Sequence, residues 1–179
     1  MPSSKPALDV WDSCCLIGIL NNEKDKLPAL LSQTQRFENG EAILGIPSAV
    51  VSEIVALSDG TPAAEKVRAF LDSPYVLLLE PTRDILFRSS ALQYRFHSTR
   101  MPDLKTKAIA AGVPKNNAVR LGSRDSEILA TALELKARRL TTYDPFLLFL
   151  GKEYIKPETG LTVDLPDSSW LDFPNATII

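Results

Sequence analysis

The chain has 179 residues, 45% of them hydrophobic, and a formal net charge of −2, which allows one substantial core and makes a single domain the default count. Its longest apolar runs, such as YVLLLE (75–80) and FLLFLG (146–151), are strand- or core-helix-sized and too short to span a bilayer. A lone histidine, His97, excludes a two-histidine metal site and paired-imidazole cleavage of RNA, while the adjacent Cys14 and Cys15 suit neither a disulfide framework nor a zinc site and read as small buried hydrophobes.

The N-terminal stretch MPSSKPALDV lacks the charged-then-apolar layout of a secretory signal, so a cytoplasmic protein is expected. ALDVWD (7–12) reads as a buried strand, followed by the helical spacing of SCCLIGILNN with Ser13 near its start. A helix with Leu27, Leu30 and Leu31 on one side follows, then a second strand, EAILGIP (41–47), stopped by Pro47. Ser48 is a good N-cap for the helix SAVVSEIVALS (48–58), which sets Val50, Ile54 and Leu57 along one stripe. A helix near 62–72 leads to YVLLLEP (75–81), whose almost wholly apolar run predicts a strand covered on both faces.

The next stretch predicts two helices, 82–100 and 103–113, parted near Met101-Pro102, with a loop over PKNNAVRLGS (114–123). RDSEILATALELKA (124–137) is an amphipathic helix running into the strand RRLTTYD (138–144). PFLLFL is a turn or short helix, GLTVDLP (160–166) a last strand, and DSSWLDFPNATII (167–179) fits no regular element. Strands alternating with helices predict a parallel sheet with helices on both sides, joined by right-handed crossovers, whose ligands bind beyond the carboxyl ends of the strands.

Charge is distributed unevenly. Between Arg83 and Arg124 nine Lys/Arg face only Asp84 and Asp103, a net +7, and the remainder carries −9. That asymmetry suits either a basic face that attracts a polyanion or a solvated helical pair. The phosphate-cradling Gly-rich loops and the nucleophile elbow have no counterpart, which leaves carboxylates as the most plausible chemical groups. Asp12 ends the first strand and Asp144 ends RRLTTYD, so both project at one sheet edge if those strands are parallel. Glu53 lies about two turns into the helix leaving the second strand, and Asp125 opens its own helix near a favourable N-terminal dipole. Taken singly, each has another use: Asp12 as a helix cap, Asp125 as a dipole partner, Asp144 as a turn former and Glu53 as a surface residue.

Jointly these segments resemble the PIN domain. LDVWDSCCLIGIL is similar to its opening, a strand ending in Asp followed by Ser or Thr and an apolar helix. IPSAVVSEIVAL resembles its second motif, with the Glu, and RDSEILATALELKARRLTTYDPFLL its third and fourth. The likeness covers residues 7 to 166 in the expected order and is nearest to VapC toxins of toxin–antitoxin pairs, with Cys14 where many relatives carry a small polar residue. It implies a three-layer α/β/α fold with a central, mostly parallel sheet of about five strands. The layout is then one domain over 1–179: a core over 7–166, a basic helical insert over 82–115 and a tail over 167–179.

The resemblance maps four acids onto Asp12, Glu53, Asp125 and Asp144, with Ser13 and Thr142 as hydroxyls that orient them. Oxygen-only ligation suits Mg²⁺ or Mn²⁺, and the expected activity is hydrolysis of RNA phosphodiesters. Arg95, Arg100, Lys105, Lys107, Lys115 and Arg120 could then hold the phosphate backbone, and Tyr94 and Phe96 either stack on unpaired bases or belong to the helical core. A cognate antitoxin and often a homodimer are further implications. One alternative is a PIN-fold module that binds RNA or protein with little or no turnover. Another, a haloacid-type phosphatase, would want a paired Asp-x-Asp, and Asp9 and Asp12 have the wrong spacing for it.

Overall fold

The computed structural model describes residues 6–58, 62–117 and 120–166, without the side chains of 56–58 and 62–63; the side chain of Leu57 in the predicted stripe and the tail over 167–179 lie outside what is described. Five strands, β1 (Ala7–Trp11), β2 (Ala42–Pro47), β3 (Val76–Leu79), β4 (Arg139–Thr141) and β5 (Thr162–Asp164), form one sheet in the order β3-β2-β1-β4-β5. Every neighbouring pair is parallel. The helices α1 (Ser13–Leu20), α2 (Leu27–Glu38), α3 (Ser48–Ser58), α4 (Pro62–Leu71), α5 (Arg83–Arg95), α6 (Leu104–Ala110), α7 (Ser123–Glu134), α8 (Pro145–Leu150) and α9 (Lys156–Thr159) flank it. The chain builds outward from β1 to β2 and β3, then crosses to lay β4 and β5 on the other side, so the order reverses beside β1. A crevice opens at that reversal, beyond the strands' carboxyl ends.

The central strands read as their apolar runs demand. Val10 and Trp11 of β1 and Leu44 and Ile46 of β2 are fully buried. Trp11 stacks on Phe70, meets Phe37 edge-on, and donates its indole N–H to Gln33 Oε1 at 2.9 Å, so its one polar atom is satisfied inside the core. On α3, Val50 and Ile54 are buried as the stripe predicts. On α2 the inward face is Leu30, Gln33 and Phe37, and Leu31 points to solvent because it sits a hundred degrees of helix turn from Leu30.

Strand β3 departs from expectation. Its apolar run predicted cover on both faces, yet it is the sheet's edge, with Leu77 49% and Leu78 45% exposed. Adjacent residues of a strand face opposite sides, so both faces of β3 are thinly covered at this point. The segment after α8 was also missed. The helix does not stop at Leu150 but passes through a π turn (Gly151–Ile155) into α9 and ends at Gly160, which takes φ +79°. Gly151 has no room for a side chain: a Cβ there would lie 2.3 Å from Val163 Cβ on β5.

Asp9, buried in β1, has a structural partner: Arg138 donates from Nε to Oδ1 at 3.0 Å and from Nη2 to Oδ2 at 2.6 Å. This fork ties β1 to the entry of β4. Arg138→Ala is expected to lower stability by about 2 kcal/mol, less than for a pair sealed on both sides because water reaches the vacated guanidinium site. Urea unfolding measures it, and Asp9→Asn added to Arg138→Ala should recover part of the loss.

Candidate active site

Asp12 follows the last residue of β1 and caps α1. Its Oδ1 accepts from Ser13 N at 2.7 Å and from Ser13 Oγ at 3.3 Å. Its Oδ2 accepts from Thr142 Oγ1 at 2.7 Å and from Cys14 Sγ at 3.2 Å. The Thr142 hydroxyl in turn accepts from Asp144 N at 2.9 Å, so one buried oxygen joins the first acid to the backbone of the last. Cys15 is buried, and its thiol is raised well above the ordinary value, chiefly by burial. Cys14 is not a core residue: half-buried, it accepts from Tyr143 N at 3.0 Å at the crevice.

Asp144 lies beyond the strand that was predicted to carry it. β4 ends at Thr141, and Asp144 caps α8, its Oδ1 accepting from Phe146 N at 2.7 Å and Leu147 N at 2.8 Å. The capping uses of Asp12 and Asp144 therefore coexist with their position at the crevice. Asp125 stands in the first turn of α7, and Gly122, which caps that helix, lets the carboxylate come close: a Cβ on Gly122 would lie 2.8 Å from Asp125 Oδ2. Glu53 reaches in from α3 and pairs with Arg124 at 3.3 Å.

All four acids line one cavity of about 740 Å³, together with Ser13, Cys14, Lys26, Asn117, Arg124 and Tyr143. Their proximity shows in the electrostatics. The Asp125 carboxyl is raised to about 6, first by burial, then by the charges of Asp12 and Asp144, with Gly122 N–H pulling the other way and Glu53 adding to the rise. The cavity's cations are Lys26, paired with Glu23 at 2.6 Å and lying 5.0 Å over the Tyr143 ring, and Arg124. Burial lifts the Tyr143 phenol to about 12 and keeps it protonated. Sequence reasoning missed Lys26, Asn117 and Tyr143 as cavity residues; only Arg124, next to Asp125, carried a local signal.

The donor set fits a hard divalent cation. It is all carboxylate oxygen, the charges repel one another, and a cation would relieve what raises Asp125. Among the described residues, however, no three His, Cys, Asp or Glu side chains stand in a closed cation-holding group. Asp12 takes four internal donors, and Glu53 pairs with Arg124.

The basic stretch divides. Arg95 is drawn to Glu158, donating from Nη1 to Oε2 at 2.6 Å, and Arg88 pairs with Glu134. Arg100 lies over the exposed Tyr94 ring at 4.4 Å, and Phe96 is buried. Lys105 and Lys107 on α6, and Lys115 beyond it, face solvent. Arg120 lines a smaller cavity of about 210 Å³ that shares Gly122 and Ser123 with the acidic one.

No family model and no curated protein matches the sequence. Solved structures match by shape. The VapBC2 structure from Rickettsia felis, bound to a DNA fragment from its promoter, aligns over 89% of this chain and 99% of the matched chain with a TM-score of 0.54 at 16% identity. The VapBC-1 structure from nontypeable Haemophilus influenzae aligns over 92% and 98%, with a TM-score of 0.51 at 17% identity. Likeness at these identities is likeness of fold.

Proposed function

From a chain with the PIN fold of VapC toxins, we propose a metal-dependent ribonuclease, the toxin of a VapBC-type pair, hydrolysing RNA phosphodiesters to a 5′-phosphate and a 3′-hydroxyl. One observation carries the reading: Asp12, Glu53, Asp125 and Asp144, separated by up to 132 residues of sequence, line the same cavity at the point where strand order reverses. Asp12 and Asp125 would be the leading ligands of Mg²⁺ or Mn²⁺, with Glu53 and Asp144 completing the shell. Bound there, the ion supplies an acidified water and compensates charge on the attacked phosphate and the leaving oxygen.

The chain's own groups do the positioning. Thr142 and Ser13 fix the Asp12 carboxylate, and removing such an orienting partner typically costs about 10- to 100-fold in metal affinity or activity. Lys26 and Arg124 bring positive charge to the cavity where a phosphate would lie. Exposed Arg100, Lys105, Lys107, Lys115 and Arg120 would extend that attraction along the backbone, with Arg95 contributing once released from Glu158. A small antitoxin covering the cavity, and a homodimer, belong to the same proposal. A short upstream reading frame with a DNA-binding N-terminus would support the pairing.

The test is cleavage of single-stranded RNA by purified protein. Cutting should require Mg²⁺ or Mn²⁺, vanish in chelator, and fall by about 100-fold or more in Asp12→Asn. Undiminished cutting in chelator, or by Asp12→Asn, overturns it. A second reading, an RNA- or protein-binding module with little turnover, is favoured by the four donors that already occupy Asp12. RNA binding without cleavage in either metal would select it.

A further inference from the structure

The smaller cavity beside the acidic one is not used by the chemistry above, and its lining differs in kind. Phe96 and Leu121, both buried, give it an apolar floor, and Gln93, His97, Arg120 and Ser123 a polar rim. At about 210 Å³ it falls below the roughly 300 Å³ at which drug-sized ligand sites begin, which suits one flat ring system. Phe96 is held in place by an edge-on contact with Tyr154, centroids 5.7 Å apart.

The rim's hydrogen-bonding capacity is specified by bonds already made. Gln93 gives one amide N–H to Ser126 Oγ at 2.8 Å, which fixes the amide and leaves its second N–H as a donor and its carbonyl oxygen as an acceptor. His97 accepts from Thr99 N at Nδ1, at 3.3 Å, which in the neutral ring puts the proton on Nε2 and makes that nitrogen a donor. Arg120 adds a cation. An apolar floor with acceptor and donor groups and a positive charge is the complement of a nucleobase edge with its attached phosphate. Ser126 Oγ donates onward to Ser123 O at 2.7 Å, so the Gln93 bond also locks this rim to the first turn of α7, where Asp125 sits.

We propose that this cavity binds the base of a nucleotide flanking the scissile phosphate of single-stranded RNA and sets the sequence preference of cleavage. The proposal rests on the nuclease reading of the acidic cavity, with which it shares the Gly122–Ser123 wall. Base-edge readout of this kind discriminates because a wrong base leaves the rim's polar groups unpaired.

Two measurements test it. Cleavage of a randomised RNA pool should show a preference of about tenfold at one position next to the cut, and His97→Ala should flatten it while cutting continues. An unchanged preference in that variant overturns the proposal and leaves the nuclease standing. The second needs no cleavage. His97 is the only histidine, so its ring NMR signals report on this cavity alone. Nucleoside 5′-monophosphates at millimolar concentration should shift them, at least one base more strongly than the others, inorganic phosphate should not, and Arg120→Gln should weaken the binding. No nucleotide-dependent shift overturns the site, whether or not the protein cuts RNA.

Discussion

Asp125→Asn should make the metal-free protein more stable at pH 7.5 while lowering RNA cleavage by about 100-fold or more. The carboxyl's folded value of about 6 lies above its ordinary 3.8, because it is buried beside Asp12 and Asp144. A raised carboxyl holds its proton longer when folded than when unfolded. The stability it confers is complete below pH 3.8 and drains away as pH rises to about 6. Above that, the native chain carries a crowded charge costing about 2–3 kcal/mol, which the neutral amide removes. Thermal unfolding should show the variant several degrees above the wild type at pH 7.5 and level with it near pH 4. Equal midpoints at pH 7.5 would mean that the carboxylates do not press on one another. Saturating Mg²⁺ should narrow the difference by stabilising the wild type more.

Gly151→Ala should lower stability by about 3 kcal/mol, although alanine is the better helix former by about 1 kcal/mol. The new methyl would lie 2.3 Å from Val163 Cβ, with Val163 Cγ2 and Cγ1 at 2.8 and 3.0 Å. Val163 cannot swing clear, because its Cβ is fixed by the backbone of β5, in register with Leu140 of β4. Either the π turn or the strand must move. Val163→Gly in the Gly151→Ala background should restore part of the midpoint, a coupling that a double-mutant cycle reads directly.

The local grammar of the chain was open to reading wherever one residue type answers one physical need. Asp12 before an apolar helix and Asp144 before Pro145 are punctuation that neighbours alone impose. Whatever depended on distant partners was hidden. VLLL has the same letters at an edge as in the middle of a sheet, so the exposure of Leu77 and Leu78 could not be foreseen from their run. Nothing in the letters around KEYI signals that Gly151 serves packing against β5 or that the helix continues to α9. Counting nine cations between Arg83 and Arg124 overstated the basic face, because Glu134 and Glu158, from outside that stretch, are paired with Arg88 and Arg95. Lys26 reaches the acidic cavity from the turn before α2, through no pattern near any acid.

The hydroxyl of Thr142 has a bearing on when the proposed nuclease could first act. It joins Asp12, near the start of the chain, to the backbone of Asp144, and Asp12 N itself bonds Thr141 O at 3.0 Å across β1 and β4. A nascent chain that has not yet emerged past residue 144 lacks Asp144 and the Thr142 link that joins it to Asp12, and cannot complete the crevice from earlier residues. During translation, then, a ribosome would carry an unfinished site, and activity of the proposed kind would arrive late and all at once.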